Sequence, residues 1–268
     1  KVINKQLLPL YDKPLIYYPL SVLMLAGIKN ILIITNKDEK SNFVKLFGDG
    51  SKLGIRIRFL EQYKPRGLPD AFIIGKNFIG KDDVALILGD NFFYGQGFTN
   101  RLKAALHKNK GATIFTYIVN NPSDYGILET DKKNKIKKIV EKPSRPKSNL
   151  AITGLYFFNN KVVHFAKKLK PSKRNELEIV DLLNIYLKNK SLKSEFMGRG
   201  SAWLDTGNAT NLFNASQYIA AIEERQGLKI ACIEEISYQN KWISKKQILK
   251  RISFYGKCEY SDYLKKIM

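Results

Sequence analysis

Cysteine and histidine are scarce in this sequence, and their scarcity excludes several kinds of site. The 268 residues include two cysteines and two histidines. Cys232 and Cys258 show no Cys-x-x-Cys spacing and no neighbouring histidine, which argues against a structural zinc site and implies no disulfide framework. So little cysteine fits a reducing compartment, and we expect a cytoplasmic location. Neither His107 nor His164 lies in a context typical of a catalytic histidine.

Long apolar runs are also missing. The most apolar stretch, residues 15–27, is too short to cross a bilayer as a helix, and it contains Pro19 and Ser21. No small-residue cleavage site follows it, so a secretory signal peptide is not indicated. We interpret the stretch as a buried helix and expect no membrane partner. With 44% hydrophobic residues, the chain can form a substantial core.

Acidic residues are few relative to basic ones. Lysine and arginine number 46 against 24 aspartates and glutamates, a formal net charge of +22. Such a charge raises affinity for nucleic acid and anionic membranes. Most of the excess is scattered lysine, as in Lys132-Lys133, with no arginine-rich stripe and no nucleic-acid-binding motif. We interpret it as a solvated lysine surface compatible with small anionic ligands; nucleic-acid binding is the alternative, tested by its salt dependence.

Strand-like and helix-like segments alternate in the first half of the chain. Residues 31–35 and 84–88 predict buried strands, and residues 98–108 predict a helix. The alternation favours an α/β fold of the Rossmann-like, doubly wound type with a mixed, mainly parallel sheet. After Tyr125 the pattern indicates strands with antiparallel members, including a hairpin that turns at residues 131–134.

Helix boundaries and domain limits can also be placed. Asp12-Lys13-Pro14 is typical of a helix start, with Asp12 as N-cap, and Gly27 is typical of the residue after a helix end. We predict one domain over residues 1–226, with halves of about 1–120 and 121–226. A partly helical tail, residues 227–268, would pack on it.

Two aspartates follow apolar segments far apart in the chain. Asp90 comes shortly after residues 84–88, and Asp205 follows Ala202-Trp203-Leu204. In open α/β sheets, ligands bind at the carboxyl ends of strands. Two carboxylates brought together there can hold Mg²⁺, which binds through oxygen and usually keeps phosphate oxygens as its other ligands. The alternative is that each aspartate caps a turn or a helix.

Three further segments carry polar residues suited to a nucleotide or a sugar. Lys5 precedes the first predicted helix and, taken alone, is a surface lysine. Gln62 could read a base edge with its amide, and Gly67 could let the backbone approach a planar ligand, unless both belong to an ordinary loop. Glu141 could bind sugar hydroxyls and Lys142 a phosphate, unless they form a charged strand end.

Seven short segments occur in a fixed order along the chain: Lys5–Pro14, Leu88–Asn91, Asp124–Gly126, Glu141–Pro143, Thr153–Tyr156, Glu176–Ile179 and Trp203–Gly207. In that order they resemble sugar-1-phosphate nucleotidyltransferases, and most closely the glucose-1-phosphate thymidylyltransferases, over essentially the whole chain. Residues 222–230 also resemble that group rather than its guanylyl or adenylyl relatives. The resemblance implies thymidylyl transfer from dTTP to glucose 1-phosphate, giving dTDP-glucose and pyrophosphate. It further implies Mg²⁺, a homotetramer, and feedback by a dTDP-sugar of a pathway such as that to dTDP-rhamnose.

The resemblance implies a role for each matching residue. Asp90 and Asp205 would hold Mg²⁺ on the nucleotide, so that Asp90 is also counted among the nucleotide-binding residues. Lys5 would contact the nucleotide phosphates, and Gln62 and Gly67 would read thymine or uracil. Catalysis would involve Lys5, Asp90, Lys142 and Asp205. The sugar-phosphate site would comprise Tyr125, Gly126, Glu141, Lys142, Gly154 and Arg174.

The sequence departs from the family in three places. A Gly-Gly-x-Gly-Thr-Arg-Leu loop, which in the family wraps the triphosphate with backbone N–H groups, does not occur after Lys1. We therefore expect this chain to be weakly active or inactive alone. Pro69-Asp70 stands where Ala-Gln is more common, and Asn175 where glycine is common. The alternatives are a uridylyltransferase of the same family and a truncated homologue that binds sugar nucleotide without turnover.

Overall fold

A computed structural model describes residues 4–268, and the chain divides into two compact units. The first unit comprises the residues up to Phe59, residues 89–94 and residues 204–268. The second comprises residues 60–88 and 95–203. Each unit therefore combines segments that are distant in the sequence.

Short strands and helices make up most of residues 4–268. The strands are β1 (Pro9–Leu10), β2 (Lys13–Pro14), β3 (Asn30–Thr35), β4 (Arg56–Glu61), β5 (Val84–Ile87), β6 (Asn91–Gly95), β7 (Ala112–Ile118), β8 (Gly126–Thr130), β9 (Ile136–Glu141), β10 (Leu150–Phe158), β11 (Leu192–Phe196) and β12 (Ser201–Asp205). The α-helices are α1 (Tyr17–Leu25), α2 (Lys40–Phe47), α3 (Asp70–Ile74), α4 (Lys76–Ile79), α5 (Phe98–His107), α6 (Val162–Lys168), α7 (Ile179–Lys188), α8 (Ala209–Gln226), α9 (Ile233–Gln239), α10 (Lys245–Tyr255) and α11 (Glu259–Lys266). Short 3-10 helices cover Lys5–Leu7, Lys37–Glu39, Ser51–Leu53 and Pro122–Asp124.

The second unit contains a six-stranded sheet in the order β11-β7-β10-β8-β9, with β5 also paired to β10. The mixed α/β architecture predicted from the sequence is confirmed. The antiparallel members expected after Tyr125 are also confirmed, and they outnumber the parallel pairs here, so the mainly parallel pairing expected from the first half of the chain does not extend to this sheet. Strands β11 and β7 are parallel, whereas β10 is antiparallel to β5, β7 and β8, and β8 is antiparallel to β9.

The reason for the antiparallel pairs is the position of β10. Strands β5, β7, β8 and β11 all run in one direction, and β10 runs against them. Because β10 lies between β5 and β7, it makes each an antiparallel neighbour. Strand β10 runs in the same direction as β9, since both are antiparallel to β8. One side of this sheet packs in an apolar core with α3, α6 and α7, which includes Phe72, Phe158, Leu183 and Tyr186.

In the first unit, α1 packs in a second apolar core with α2, β3, β4 and α9. The helix begins at Tyr17, five residues after the predicted start at Asp12. Residues 9–10 and 13–14 instead pair as β1 and β2, with Tyr11 at φ +64° in the turn between them. The carboxylate of Asp12 is occupied by the ammonium groups of Lys13 and Lys229 and therefore does not cap α1.

Helices α9, α10 and α11 form the C-terminal part of the chain, as the predicted helical tail requires. The Glu234 carboxylate is fully buried among them. It accepts hydrogen bonds from Arg251 at 3.0 Å, Tyr255 Oη at 2.6 Å and Tyr260 Oη at 2.6 Å. One buried carboxylate therefore links all three helices.

Two further observations bear on the expectations from composition. Among residues 4–268, no helix has both the length and the apolar character needed to cross a membrane. Cys232 is buried and Cys258 is exposed, and both are free thiols.

Candidate functional site

Lys5 and Asp90 form an ion pair in the first unit. Lys5 Nζ lies 2.7 Å from Asp90 Oδ2, with about a third of the lysine side chain and a quarter of the aspartate side chain exposed. The Lys5–Leu7 3-10 helix places the lysine, and the Asn4 side chain caps this helix by accepting a hydrogen bond from the Gln6 N–H at 2.9 Å. Asp90 lies in the turn between β5 and β6, where Asn91 Nδ2 donates to Oδ1 at 3.0 Å. A cation and an anion predicted from separate segments are thus in direct contact.

Asp90 is also joined to the end of β12. The Thr206 N–H and hydroxyl both donate to the Asp90 carbonyl oxygen, at 3.0 Å and 2.7 Å. Thr206 is fully buried. Because Asp205 immediately precedes Thr206, the two aspartates lie on adjacent backbone segments, although 115 positions separate them in the sequence. Gly207 makes room for Asp205, since a Cβ at position 207 would lie 3.2 Å from Asp205 Oδ1.

These groups suit a hard divalent cation. Two carboxylates supply oxygen donors, and a carboxylate that accepts one hydrogen bond at each oxygen keeps lone pairs for a metal. Among residues 4–268, there is no cluster of three or more histidine, cysteine or acidic side chains placed to hold a metal ion. A metal at Asp90 and Asp205 would therefore need oxygen ligands from bound phosphate or water, as Mg²⁺ commonly has.

In the second unit, Gln62 contacts an aspartate rather than facing only solvent. Gln62 Nε2 donates to Asp70 Oδ2 at 3.0 Å, and Arg66 donates to Asp70 Oδ1 at 2.7 Å. The Asp70 side chain is 1% exposed, whereas that of Arg66 is 60% exposed. Both oxygens of a buried carboxylate are thus satisfied, and the Gln62 amide has a fixed neighbour.

Gly67 is required by the fold of the loop itself. Its φ is +92°, and a Cβ would lie 2.1 Å from the Leu177 carbonyl oxygen. The Leu177 N–H also donates to the Arg66 carbonyl at 2.8 Å. The sequence indicated a glycine that lets a ligand approach, whereas the structure shows one that lets residue 177 approach. Its predicted contact with a base stays a prediction.

Glu141 lies beside Gly126 at the paired ends of β8 and β9. The two residues are partners in register, and a Cβ at position 126 would lie 3.3 Å from Glu141 Oε2. Burial, together with the negative charge of Glu178, raises the pKa of Glu141 above its usual range, against the opposing influence of Lys142 and Arg174. A half-buried carboxylate kept ready to accept hydrogen bonds suits recognition of hydroxyl groups.

Arg174 lies between two glutamates. Its guanidinium donates to both oxygens of Glu178, at 3.2 Å and 2.7 Å, and lies 3.8 Å from Glu141 Oε1. Burial acts to raise the pKa of Glu178, but hydrogen bonds from Ser172 and Arg174 outweigh it and lower the pKa. The next residue, Asn175, has φ +60°. Asparagine tolerates this left-handed conformation better than other non-glycine residues, which explains why it can stand where glycine is common.

The other predicted sugar-site residues lie on the same unit. The Tyr125 ring meets the Trp203 ring edge to face at 5.1 Å, and its carbonyl accepts from the Lys142 N–H at 3.1 Å. Lys142 is exposed and has φ +39°. Gly154 lies in β10 where the pairing with β7 shifts register, and its carbonyl accepts from the Leu88 N–H at 2.9 Å. Gly154 is therefore placed at a β-bulge, where glycine is common.

The residues that link these groups are not evident from the sequence. In the sequence, Thr206 looks like one residue of the turn after Asp205. The only sequence feature that could have pointed to its linking role is its place in an Asp-Thr-Gly motif after an apolar segment. Arg66 gives no signal, because an arginine in a polar loop is ordinary. Asp70 stands out as an acid near the predicted base pocket, but its contacts with Gln62 and Arg66 depend on the fold of the loop.

Comparison with known proteins gives consistent matches. The family model described as nucleotidyl transferase matches residues 1–222. A glucose-1-phosphate thymidylyltransferase of Neisseria meningitidis serogroup A is 50% identical over 266 residues, covering 99% of this chain and 92% of that protein. The enzyme of the same name from Neisseria gonorrhoeae is 52% identical over 262 residues, covering 98% and 91%.

A solved structure extends the similarity to three dimensions. A crystal structure from Bacillus anthracis, described as a putative glucose-1-phosphate thymidylyltransferase in complex with sucrose, superposes with a TM-score of 0.75 at 34% identity. The match covers 81% of this chain and 87% of that one. Sequence and backbone therefore point to the same group of proteins.

Proposed function

Since this chain belongs to the nucleotidyl transferase family, and within it to the glucose-1-phosphate thymidylyltransferases, we propose that it transfers a thymidylyl group from dTTP to glucose 1-phosphate. The products are dTDP-glucose and pyrophosphate. The observation that carries this proposal is the Lys5–Asp90 pair held beside Asp205 by Thr206, because it combines a phosphate-binding cation with two metal-binding carboxylates.

The reaction is an in-line displacement at phosphorus. A phosphate oxygen of glucose 1-phosphate forms a bond to the α-phosphorus of dTTP, and the bond from that phosphorus to the bridging oxygen breaks to release pyrophosphate. The attacking oxygen is already anionic at neutral pH, so the chain needs no strong general base. This fits the exposed positions of His107 on α5 and His164 on α6.

The residues of the first unit would handle the triphosphate. Asp90 and Asp205 would hold Mg²⁺, which when bound supplies positive charge to the phosphate oxygens. Lys5 would move from Asp90 toward the phosphates and stabilise the charge that develops at the α-phosphorus. Alignment and fixed charge then account for the rate enhancement.

The residues of the second unit would recognise base and sugar. Gln62 and Gly67 would contact the pyrimidine. Glu141 would accept hydrogen bonds from glucose hydroxyls, and Lys142 would bind the sugar phosphate. Arg174, whose guanidinium has donors beyond those used by Glu178, would support Lys142. The wall of the sugar site would comprise Tyr125, Gly126 and Gly154.

The remaining properties are part of the same proposal. A homotetramer, a cytoplasmic location and a place in dTDP-rhamnose synthesis fit an enzyme of this group. A nucleotidyltransferase domain over residues 1–226, with a nucleotide half, a sugar half and a helical tail packed on it, fits the family match to residues 1–222.

Pyrophosphate release with dTTP, glucose 1-phosphate and Mg²⁺ tests the proposal. Asp90→Asn and Asp205→Asn should each lower kcat about 100-fold or more, because each removes charge at the developing transition state. Asp38→Asn is the matched control, since Asp38 is an exposed aspartate on a 3-10 helix of the same unit. Full turnover by both site variants would refute the metal assignment. Absence of turnover both by this chain and by a version that carries the Gly-Gly-x-Gly-Thr-Arg-Leu loop before Lys1 would refute the function.

A second candidate, uridylyl transfer, follows from the position of Gln62. Thymine and uracil present the same N3–H and carbonyl groups, so an amide that reads this edge does not by itself reject UTP. Measuring kcat/KM with dTTP and UTP side by side separates the two. A ratio below one would favour the uridylyltransferase.

A further inference from the structure

The contact between Asp70 and Gln62 fixes which way the Gln62 amide points. A carboxylate can only accept hydrogen bonds, so the Gln62 atom that lies 3.0 Å from Asp70 Oδ2 must be the NH₂ nitrogen. Water and a second amide can both donate and accept hydrogen bonds, so neither would fix the orientation of the Gln62 amide. With its nitrogen held by Asp70, Gln62 presents its carbonyl oxygen, an acceptor, on the other side.

Arg66 makes the arrangement directional. The Arg66 guanidinium donates a hydrogen bond to Asp70 Oδ1 at 2.7 Å. A guanidinium cannot accept hydrogen bonds, so the side-chain atom of residue 70 that faces Arg66 must be an acceptor. The loop that carries Arg66 is itself fixed, because the Leu177 N–H donates to the Arg66 carbonyl and Gly67 packs against Leu177. The ion pair and the backbone contacts together fix Arg66 on one oxygen of Asp70 and Gln62 on the other.

We propose that Asp70 is a positioning residue for base selectivity: it orients Gln62 so that the amide oxygen accepts the N3–H of a thymine or uracil base. This rests on the proposed function, in which Gln62 contacts the base. Cytosine has an unprotonated N3, which accepts rather than donates. The same Gln62 orientation therefore selects imide pyrimidines and rejects cytosine.

Asp70→Asn tests this with almost no change of shape. In the variant, Arg66 still requires an acceptor, so the new amide oxygen faces Arg66 and the new NH₂ group faces Gln62. Gln62 must then turn its own oxygen inward and its NH₂ outward. The outward donor suits cytosine N3 and opposes the N3–H of thymine. We expect the ratio of kcat/KM for dTTP to that for dCTP to fall about tenfold to a hundredfold.

Three further variants distinguish a change in the orientation of the Gln62 amide from a general disturbance of the loop. Arg66→Met alone should leave the ratio within about twofold of the starting value, because Asp70 still accepts from Gln62. Arg66→Met combined with Asp70→Asn should give an intermediate ratio, because residue 70 can then turn either way. Gln62→Met should reduce the ratio, and adding Asp70→Asn to it should change the ratio no further.

The outcomes distinguish this inference from the proposed function. If neither this chain nor a version with the Gly-rich loop restored shows turnover, the proposed function fails. Calorimetric titration with Mg²⁺-dTTP and Mg²⁺-dCTP then still measures the same ratio as an affinity. An unchanged dTTP-to-dCTP ratio in Asp70→Asn overturns the inference, whether measured by turnover or by binding. Should Asp70→Asn fail to fold, Asp70→Ala takes its place. It removes the acceptor that holds the Gln62 NH₂ group, and a dTTP-to-dCTP ratio equal to that of the unsubstituted protein then overturns the inference equally.

Discussion

Thr206 donates two hydrogen bonds to the single carbonyl oxygen of Asp90, one from its N–H at 3.0 Å and one from its hydroxyl at 2.7 Å. The threonine thereby joins the segments that carry Asp90 and Asp205. We expect Thr206→Val, which keeps the shape and removes the hydroxyl, to cost about 1 kcal/mol of unfolding free energy. The Mg²⁺ concentration for half-maximal activity should rise about tenfold, because residues behind metal ligands orient them.

Thr153→Val is the control for that prediction. Thr153 is equally buried and its hydroxyl donates to the Phe115 carbonyl at 2.9 Å, in the second unit. Its loss should lower stability by a similar amount and leave the Mg²⁺ requirement unchanged. Urea unfolding and a Mg²⁺ titration of pyrophosphate release measure the two effects. Equal Mg²⁺ dependence in the two variants would contradict the role proposed for Thr206.

Lys5→Met should separate activity from stability. The Lys5–Asp90 pair is partly exposed, and such pairs contribute about 1 kcal/mol or less to folding. Loss of a cation that stabilises phosphate charge should lower kcat about 100-fold or more. Lys265→Met is matched to it, since Lys265 pairs with Asp262 at 2.8 Å on the surface, and it should leave kcat unchanged. A loss of stability large enough to explain the loss of kcat would refute the assignment.

Glu141→Gln should show opposite effects on stability and on activity. The raised pKa of Glu141 means that the folded protein disfavours its ionised form, so the charge destabilises the fold at neutral pH. As the pH falls, Glu141 is protonated in the folded protein before it is protonated in the unfolded chain. The energetic cost of burying its charge then disappears as the pH approaches the ordinary pKa of glutamate. The variant should therefore have a higher Tm at neutral pH, a gain that vanishes near pH 4.5, the ordinary value for glutamate.

Activity completes the Glu141 prediction. The KM for glucose 1-phosphate should rise at least about tenfold in Glu141→Gln, because a charged acceptor of sugar hydroxyls is lost. Glu224→Gln, on the exposed face of α8, should change neither the Tm profile nor KM. A lower Tm for Glu141→Gln at neutral pH would show that the ionised carboxylate stabilises the fold, which is the opposite of the expected effect.

Glu234→Gln should be severely destabilising. The variant weakens the ion pair between the fully buried Glu234 and Arg251 and removes a charged acceptor from Tyr255 and Tyr260. We expect a loss of about 3 kcal/mol in the free energy of unfolding. Glu235→Gln, on the same helix, changes a carboxylate that accepts from the Tyr263 hydroxyl at 2.7 Å, and it should cost about 1 kcal/mol. Guanidinium unfolding curves of the two variants measure both losses of unfolding free energy. Equal losses would refute the prediction that Glu234 contributes more to stability than Glu235.

The fold class could be predicted from the sequence because alternating apolar and helical segments reflect local geometry. Helix α5 shows this, since a helix is predicted over residues 98–108 and the structure has one at Phe98–His107. The start of α1 could not be predicted, because Asp12 has a side chain suited to an N-cap and its contact with distant Lys229 is not visible in the sequence. The sequence after Tyr125 indicated antiparallel strands, but it did not indicate that β10 would lie between β5 and β7, because that position depends on the pairing of distant segments.

The candidate site shows the same division. Asp90 and Asp205 could be selected because both acids directly follow apolar segments and because the surrounding motifs resemble a family. Their adjacency could not be read from the sequence, since it depends on Thr206 reaching a carbonyl 116 positions away. The reason for a glycine at position 67 also differs from the one that the sequence suggests, because its close neighbour is a backbone carbonyl from residue 177.

The tight packing of Gly67 on Leu177 has a mechanical consequence. The loop that contains Gly67 and the segment just after Arg174 are in direct backbone contact, with no space between them for a methyl group. Neither segment can shift without moving the other, so a single alanine at position 67 would displace both the loop proposed for the base and the segment next to the arginine proposed for the sugar phosphate.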